Sequence, residues 1–250
     1  DGSYGSSGAN NTGNSSELQN DALIFRSPNG IAISDDNTVF VTEFSGHRVR
    51  QLNLEGELIY KWGEEGDGSG QFQHPTGIAL DSFGNIYVAE SGNHRVQKFN
   101  SNGVWLLTFG EQGQEPGQFI SAMVVAIDDL DNVYVTDWGN HRIQVFDSTG
   151  VYLRTISSAG DNNGQLTNPT GIKIDNNILW VVDRGNNRIQ TFTLEGEFIS
   201  AIGVAGEDVG EFATPTSINF DEFGNFYVSE VSNSRVQMFD EEARFVGEVA

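Results

Sequence analysis

The segment SGNHRVQKF at 91–99 returns as WGNHRIQVF at 138–146 and as RGNNRIQTF at 184–192. Looser copies stand at 44–52 (FSGHRVRQL) and 231–239 (VSNSRVQMF). Their arginines, Arg48, Arg95, Arg142, Arg188 and Arg235, are spaced 47, 47, 46 and 47. A second marker keeps the same beat: Pro28, Pro75, Ala122, Pro169 and Pro215, each preceded three positions earlier by phenylalanine or leucine. A repeat of this period is one supersecondary unit that cannot bury its apolar faces alone, so the units must stack on one another.

Within a unit, four short alternating runs are separated by turn residues. In the second copy GIALD is followed by the turn SFGN, IYVAE by SGN, and HRVQKF by NSNG before VWLLTFG. Alternation, β-branched and aromatic residues and closely spaced Gly/Asn turns specify antiparallel strands. No stretch sustains a helical period. The expected fold is therefore all-β: a β-propeller of four-stranded antiparallel blades, with five units recognisable. Residues 22–250 form the propeller. Residues 1–21 are a Gly/Ser/Asn-rich tail with no alternating apolar run.

The stretch HPTGIALDSFGNIYVAESGNHRVQKFNSNG at 74–103, with its counterparts in the other units, resembles the NHL-repeat family. The resemblance covers about residues 25–250 and implies a β-propeller, commonly of six blades. Proteins with this repeat include RNA-binding tripartite-motif proteins, a zinc-dependent amidating lyase and many extracellular and bacterial proteins. A full sixth unit would need about 47 further residues, which the tail does not supply. Three arrangements follow from the count: five blades that close, an open arc, or a sixth blade from outside this sequence.

Charge narrows the partners. With 35 acidic and 13 basic residues the formal net charge is -22. Such a surface repels phosphate backbones and anionic lipid, which argues against nucleic acid and membrane insertion. Cysteine is absent, so disulfides say nothing about the compartment. The triplets Asn10-Asn11-Thr12 and Asn14-Ser15-Ser16 are N-glycosylation acceptors in the tail, at Asn10 and Asn14, and point to an extracellular glycoprotein.

An acid closes the second strand of each unit, five residues before the arginine: Glu43, Glu90, Asp137, Asp183 and Glu230. Across a tight hairpin the two positions are neighbours, so five structural ion pairs are expected: Glu43–Arg48, Glu90–Arg95, Asp137–Arg142, Asp183–Arg188 and Glu230–Arg235. His47, His94 and His141 share one position in three units, with Asn187 and Ser234 in the others. Equivalent positions in neighbouring blades lie roughly 10 Å or more apart, too far to share one zinc with ligands at about 2 Å. His74 sits on a loop before Pro75. Asp128, Asp129 and Asp131 crowd one turn and form a calcium candidate, although a full calcium site needs about six oxygens. No other cofactor is expected.

Where the copies disagree, function is expected. Phe44, Trp138 and Arg184 follow the recurrent acid at hairpin tips on one rim and form a candidate partner or ligand surface. The long connections at 63–72 and 110–119 emerge on that rim. Asn29, Lys173, Asp175 and Asn219 lie on innermost strands. The expected function is that of a secreted, acidic, non-catalytic propeller. It would bind other copies of itself, extracellular proteins or glycans, as part of an extracellular polymer. The alternative is a metal-dependent lyase or lactonase-like hydrolase with its site at the channel.

Overall fold

The computed structural model describes residues 24–249. They form five four-stranded antiparallel sheets, each with its strands in chain order. The blades span 28–62, 75–109, 122–156, 172–202 and 215–249. Blade 2 shows the pattern, with strands Pro75–Leu80, Ile86–Glu90, Arg95–Phe99 and Trp105–Phe109. No helix among the described residues is long and apolar enough to cross a membrane.

Alternation explains the stacking. Ile86 and Val88 of blade 2 pack with Phe40, Val49 and Trp62 of blade 1. Tyr87 and Ala89, pointing the other way, pack with Val133, Val135 and Phe146 of blade 3. Both faces of an inner blade are thus apolar, and the core is a series of layers between consecutive sheets.

Turn chemistry sets the lengths. In blade 2 the Asp81 carboxylate accepts the N–H groups of Phe83 at 3.0 Å and Asn85 at 2.8 Å, closing the first hairpin. Blade 4 makes this turn with Asn176 and Asn177 alone, both left-handed at φ 49° and 59°. That shorter turn accounts for the single spacing of 46. The connection into each blade ends on the aromatic or leucine marker, and Phe72, Phe119, Leu166 and Phe212 are completely buried. Gly63, at φ 99°, leaves the space that the Phe72 ring fills.

The first strand of every sheet is innermost and lines a central cavity of about 1250 Å³. Consecutive innermost strands pack on one another from blade 1 to blade 5, whereas those of blades 5 and 1 lack comparable packing. Blades 2 and 3 meet backbone to backbone. A Cβ added at Gly77 would lie 2.6 Å from Val124 Cα and 2.8 Å from the Met123 carbonyl oxygen. Both neighbours are backbone and cannot rotate away. Gly77→Ala should therefore cost about 2 kcal/mol. Gly247→Ala, where an added Cβ meets nothing within 4 Å, should stay within about 0.5 kcal/mol of the parent. Urea denaturation of the two variants reads the difference, and equal effects would contradict this packing.

Candidate functional site

Each recurrent acid is a buried hub. Glu90 accepts hydrogen bonds from the Gln73 N–H at 2.9 Å, Asn93 Nδ2 at 2.7 Å, Arg95 Nε at 2.7 Å and Gln97 Nε2 at 2.8 Å. Arg95 in turn donates to the carbonyls of Asp67, Gly68 and Gln71 in the connection entering the blade. The carboxylate thus ties the second strand to the third and to the incoming connection. Asp137, Asp183 and Glu230 repeat the arrangement, with Arg142, Arg188 and Arg235 at 2.8, 2.7 and 2.8 Å. In blade 1, Gly46 and Arg50 replace the asparagine and glutamine, and Glu43 pairs with both Arg48 and Arg50.

At Glu43, Asp137 and Glu230 burial works to raise the carboxyl pKa, and the donors work to lower it. At Glu43 and Glu230 the hydrogen bonds, led by Arg48 and by the Ala213 N–H respectively, outweigh burial and hold the carboxyl below its ordinary value. At Asp137 burial outweighs Asn140, Arg142 and the Ile120 N–H, and the pKa is raised. The participation of Gln97, Gln144, Gln190 and Gln237 went unread in the sequence, although Gln recurs two residues after the arginine in four units.

The histidines join blades. His47, His94 and His141 each accept, through Nδ1, the N–H of a residue in the loop leading into the next blade: His74 at 3.4 Å, Ser121 at 3.0 Å and Asn168 at 3.0 Å. Asn187 Oδ1 accepts the Thr214 N–H at 2.8 Å in the same way. All four acceptor residues are left-handed, with φ between 51° and 57°. The imidazoles serve separate joints. The His74 ring stacks on Phe44, 4.4 Å between centroids.

The crowded turn has its carboxylates engaged. Asp128 accepts from the N–H groups of Leu130 and Asn132, from Asn132 Nδ2 and from the Tyr134 hydroxyl. Asp131 takes the Ser82 N–H and hydroxyl, both at 2.8 Å. Asp129 is exposed. Among the described residues no group of three or more His, Asp or Glu is placed to hold a metal ion.

Phe44, Trp138 and Arg184 do occupy one rim, but they are half-buried. Trp138 and Arg184 open short 3-10 turns, Trp138–Asn140 and Arg184–Asn186. The Trp138 carbonyl there accepts from Asn168 Nδ2 at 3.2 Å. Cation–π contacts among the described residues lie elsewhere, at Arg50–Phe25, Lys98–Tyr87 and Arg154–Tyr134. Asn29, Lys173 and Asn219 line the central cavity, while Asp175 accepts a hydrogen bond from Asn176 Nδ2. Asn10 and Asn14 lie outside the described residues.

The opposite face is different in character. Phe83, Leu130 and Phe223 stand at the tips of first hairpins and are 82%, 82% and 77% exposed. Exposed Asp35, Asp36, Asp129 and Glu222 occupy the same turns. The cavity opens on this face, where Asp36, Phe83 and Asp129 line its mouth.

Two family models match the chain. The NHL repeat matches residues 25–52 and 72–99, and a 6-bladed beta-propeller matches 120–201 and 164–249. The chain belongs to the NHL-repeat β-propeller family. No curated protein matches it in sequence. Among solved structures, this propeller is similar to a streptogramin B lyase, with a TM-score of 0.69 at 16% identity over 90% of this chain and 69% of that one. A chain of a nidogen/laminin complex gives 0.69 at 18% identity, over 89% and 80%. A gluconolactonase from Xanthomonas campestris gives 0.68 at 15% identity, over 89% and 75%. These likenesses concern the fold.

The joints of this NHL propeller make a direct prediction. His94→Asn should hold stability within about 0.5 kcal/mol, because Asn187 performs the same task in blade 4. His94→Ala loses the acceptor and places alanine in the left-handed region, for a cost of about 2 kcal/mol. Thermal unfolding of the two variants checks this, and an alanine variant as stable as the asparagine one would contradict it.

Proposed function

We propose that the protein acts by binding, without catalysis, and that its contact surface is the face bearing the first hairpins. The observation that carries this reading is the trio Phe83, Leu130 and Phe223, apolar side chains held almost wholly in water at equivalent tips. Large apolar residues at such positions are contact points for a partner. Hydrogen bonds from Ser82 to Asp131 brace the hairpins of blades 2 and 3, so Phe83 and Leu130 are presented on a fixed platform. That platform lowers the ordering cost of association.

Charge selects the partner class. Asp35, Asp36, Asp129 and Glu222 surround the apolar tips, and the chain carries -22 overall. Hydrogen bonds from Ser34 and Thr38 hold the Asp36 carboxyl below its ordinary pKa, so it stays ionised. The complementary partner is a basic polypeptide segment that also carries apolar side chains, with its cations over the carboxylates. The similar structures include both enzymes and a chain of a protein complex, and the exposed apolar tips favour the second use of the fold here.

A peptide of alternating lysine and leucine, titrated calorimetrically, is a suitable probe. Binding should weaken as salt rises, and Phe83→Ser and Leu130→Ser should each weaken it about tenfold. Both side chains are exposed, so the variants should fold as the parent does. Binding that ignores both substitutions would overturn the reading.

A further inference from the structure

The outer wall of the propeller, away from both faces, carries one repeated device and one exception. In every blade the fourth strand is bulged against the third. In blade 2 Phe99 faces Trp105 and Lys98 faces Leu107, which leaves Leu106 as the extra residue. Ile59, Leu153, Ile199 and Val246 are the bulged residues of the other blades. All five are aliphatic and between 44% and 56% exposed. A bulge twists an edge strand and hinders its pairing with a foreign strand, and charge is a second guard on such an edge. The fourth strand and the turn before it carry Glu57 and Lys61 in blade 1, and Asp147 and Arg154 in blade 3. Glu195 and Glu197 stand there in blade 4, and Glu242 and Arg244 in blade 5.

Blade 2 lacks the second guard. Residues 100–110, NSNGVWLLTFG, contain no charged side chain in a chain of net charge -22. Val104, Trp105 and Leu106 follow one another there and are 57%, 40% and 44% exposed. Among the described residues, no other blade exposes three consecutive apolar side chains in this hairpin. The strip is also held still. Trp105 Nε1 donates to Thr108 Oγ1 at 2.9 Å, which satisfies the indole within its own strand and leaves the ring for contact. Asn100 Oδ1 accepts the N–H groups of Asn102 and Val104, both at 3.0 Å. The turn rests on blade 1, since a Cβ added at Gly103 would lie 2.8 Å from the Trp62 ring. Tyr60, stacked on Trp62 and exposed, continues the apolar surface onto that blade.

We infer that this wall of blade 2 is a contact between two copies of the chain, related by a two-fold axis, with Trp105 at its centre. Charge decides the occupant. A basic partner is drawn to the acidic surfaces and gains nothing from a neutral strip. Two copies repel across most of their surface, and the strip is where they meet without bringing like charges together. A two-fold contact sets the strip against itself, so each Trp105 packs on apolar side chains of the other copy. The bulge twists the strand, so side chains make the contact and the sheet is not extended. Three side chains and their surroundings fall short of the area of a permanent dimer. The association is therefore weak, with a Kd on the order of 100 µM.

Sedimentation equilibrium over about 10 to 500 µM protein tests this. The average mass should rise toward twice that of the chain as concentration increases. Association should strengthen about tenfold from about 50 to about 500 mM salt, because salt screens the repulsion between copies. Trp105→Ser should weaken it about tenfold or more. Asn102→Asp, which sets like charges into both copies of the strip, should weaken it chiefly at low salt. Ile199→Ser, at the same bulge in blade 4, and Phe83→Ser, on the hairpin face, should leave it unchanged. Trp105, Ile199 and Phe83 are all exposed, and an unchanged Tm verifies that each variant folds. A chain that stays monomeric throughout would overturn the inference. So would a dimer that survives Trp105→Ser, or one abolished by Ile199→Ser or Phe83→Ser. Peptide binding at the hairpin face weakens with salt whereas this association strengthens, so the two proposals fail independently.

Discussion

A buried carboxylate at the end of each second strand is the constraint on which the propeller depends. Glu90 and its equivalents lie in the interior, where an unpaired charge is expensive, so each must collect a full set of donors. The donors come from three directions: an arginine and glutamine on the third strand, an asparagine in the turn, and a backbone N–H of the incoming connection. Meeting that demand fixes where the connection enters the blade. The arginine then spends its remaining N–H groups on carbonyls of the same connection. Connection, hairpin and sheet are therefore positioned by one electrostatic requirement, repeated five times.

This hub also explains how the blades meet. Once the connection is docked, its marker side chain, Phe72 in blade 2, reaches the apolar layer shared with the preceding blade. The left-handed residue at the hairpin is then aimed at the next loop, where it accepts a single N–H. Histidine and asparagine both suit that position because each tolerates positive φ and offers a side-chain acceptor. At Ser234 the same position holds a hydroxyl without a hydrogen-bond partner among the described residues. The propeller is thus a chain of identical fastenings, interrupted where blade 5 faces blade 1.

Much of this was legible in the sequence. The beat of the arginines gives the number of blades, and a five-residue offset across a hairpin puts acid beside arginine, as in Glu90–Arg95. Other features depend on what lies across a joint. His94 meets Ser121, 27 residues away, and no local pattern marks that contact. Trp138 and Arg184 look like exposed tips in the sequence, yet both are half-buried. Ile31 and Ile78 are the same residue in the same pattern, and only the presence or absence of a neighbouring sheet separates them. The exposed apolar tips were equally hidden, since Phe83 in SFGN resembles any turn residue until its solvent exposure is known.

The hub itself is tested most directly by the pH dependence of stability in the parent and in Glu230→Gln. The Glu230 carboxyl is held below its ordinary value of 4.5 in the folded protein, so its contribution is complete above that pH and is lost as pH falls through the folded value. At pH 7 the variant should be less stable by about 3 kcal/mol. The gap should close in acid, as the parent carboxyl takes up its proton. Equal stability at neutral pH, or a gap that widens as pH falls, would contradict the account.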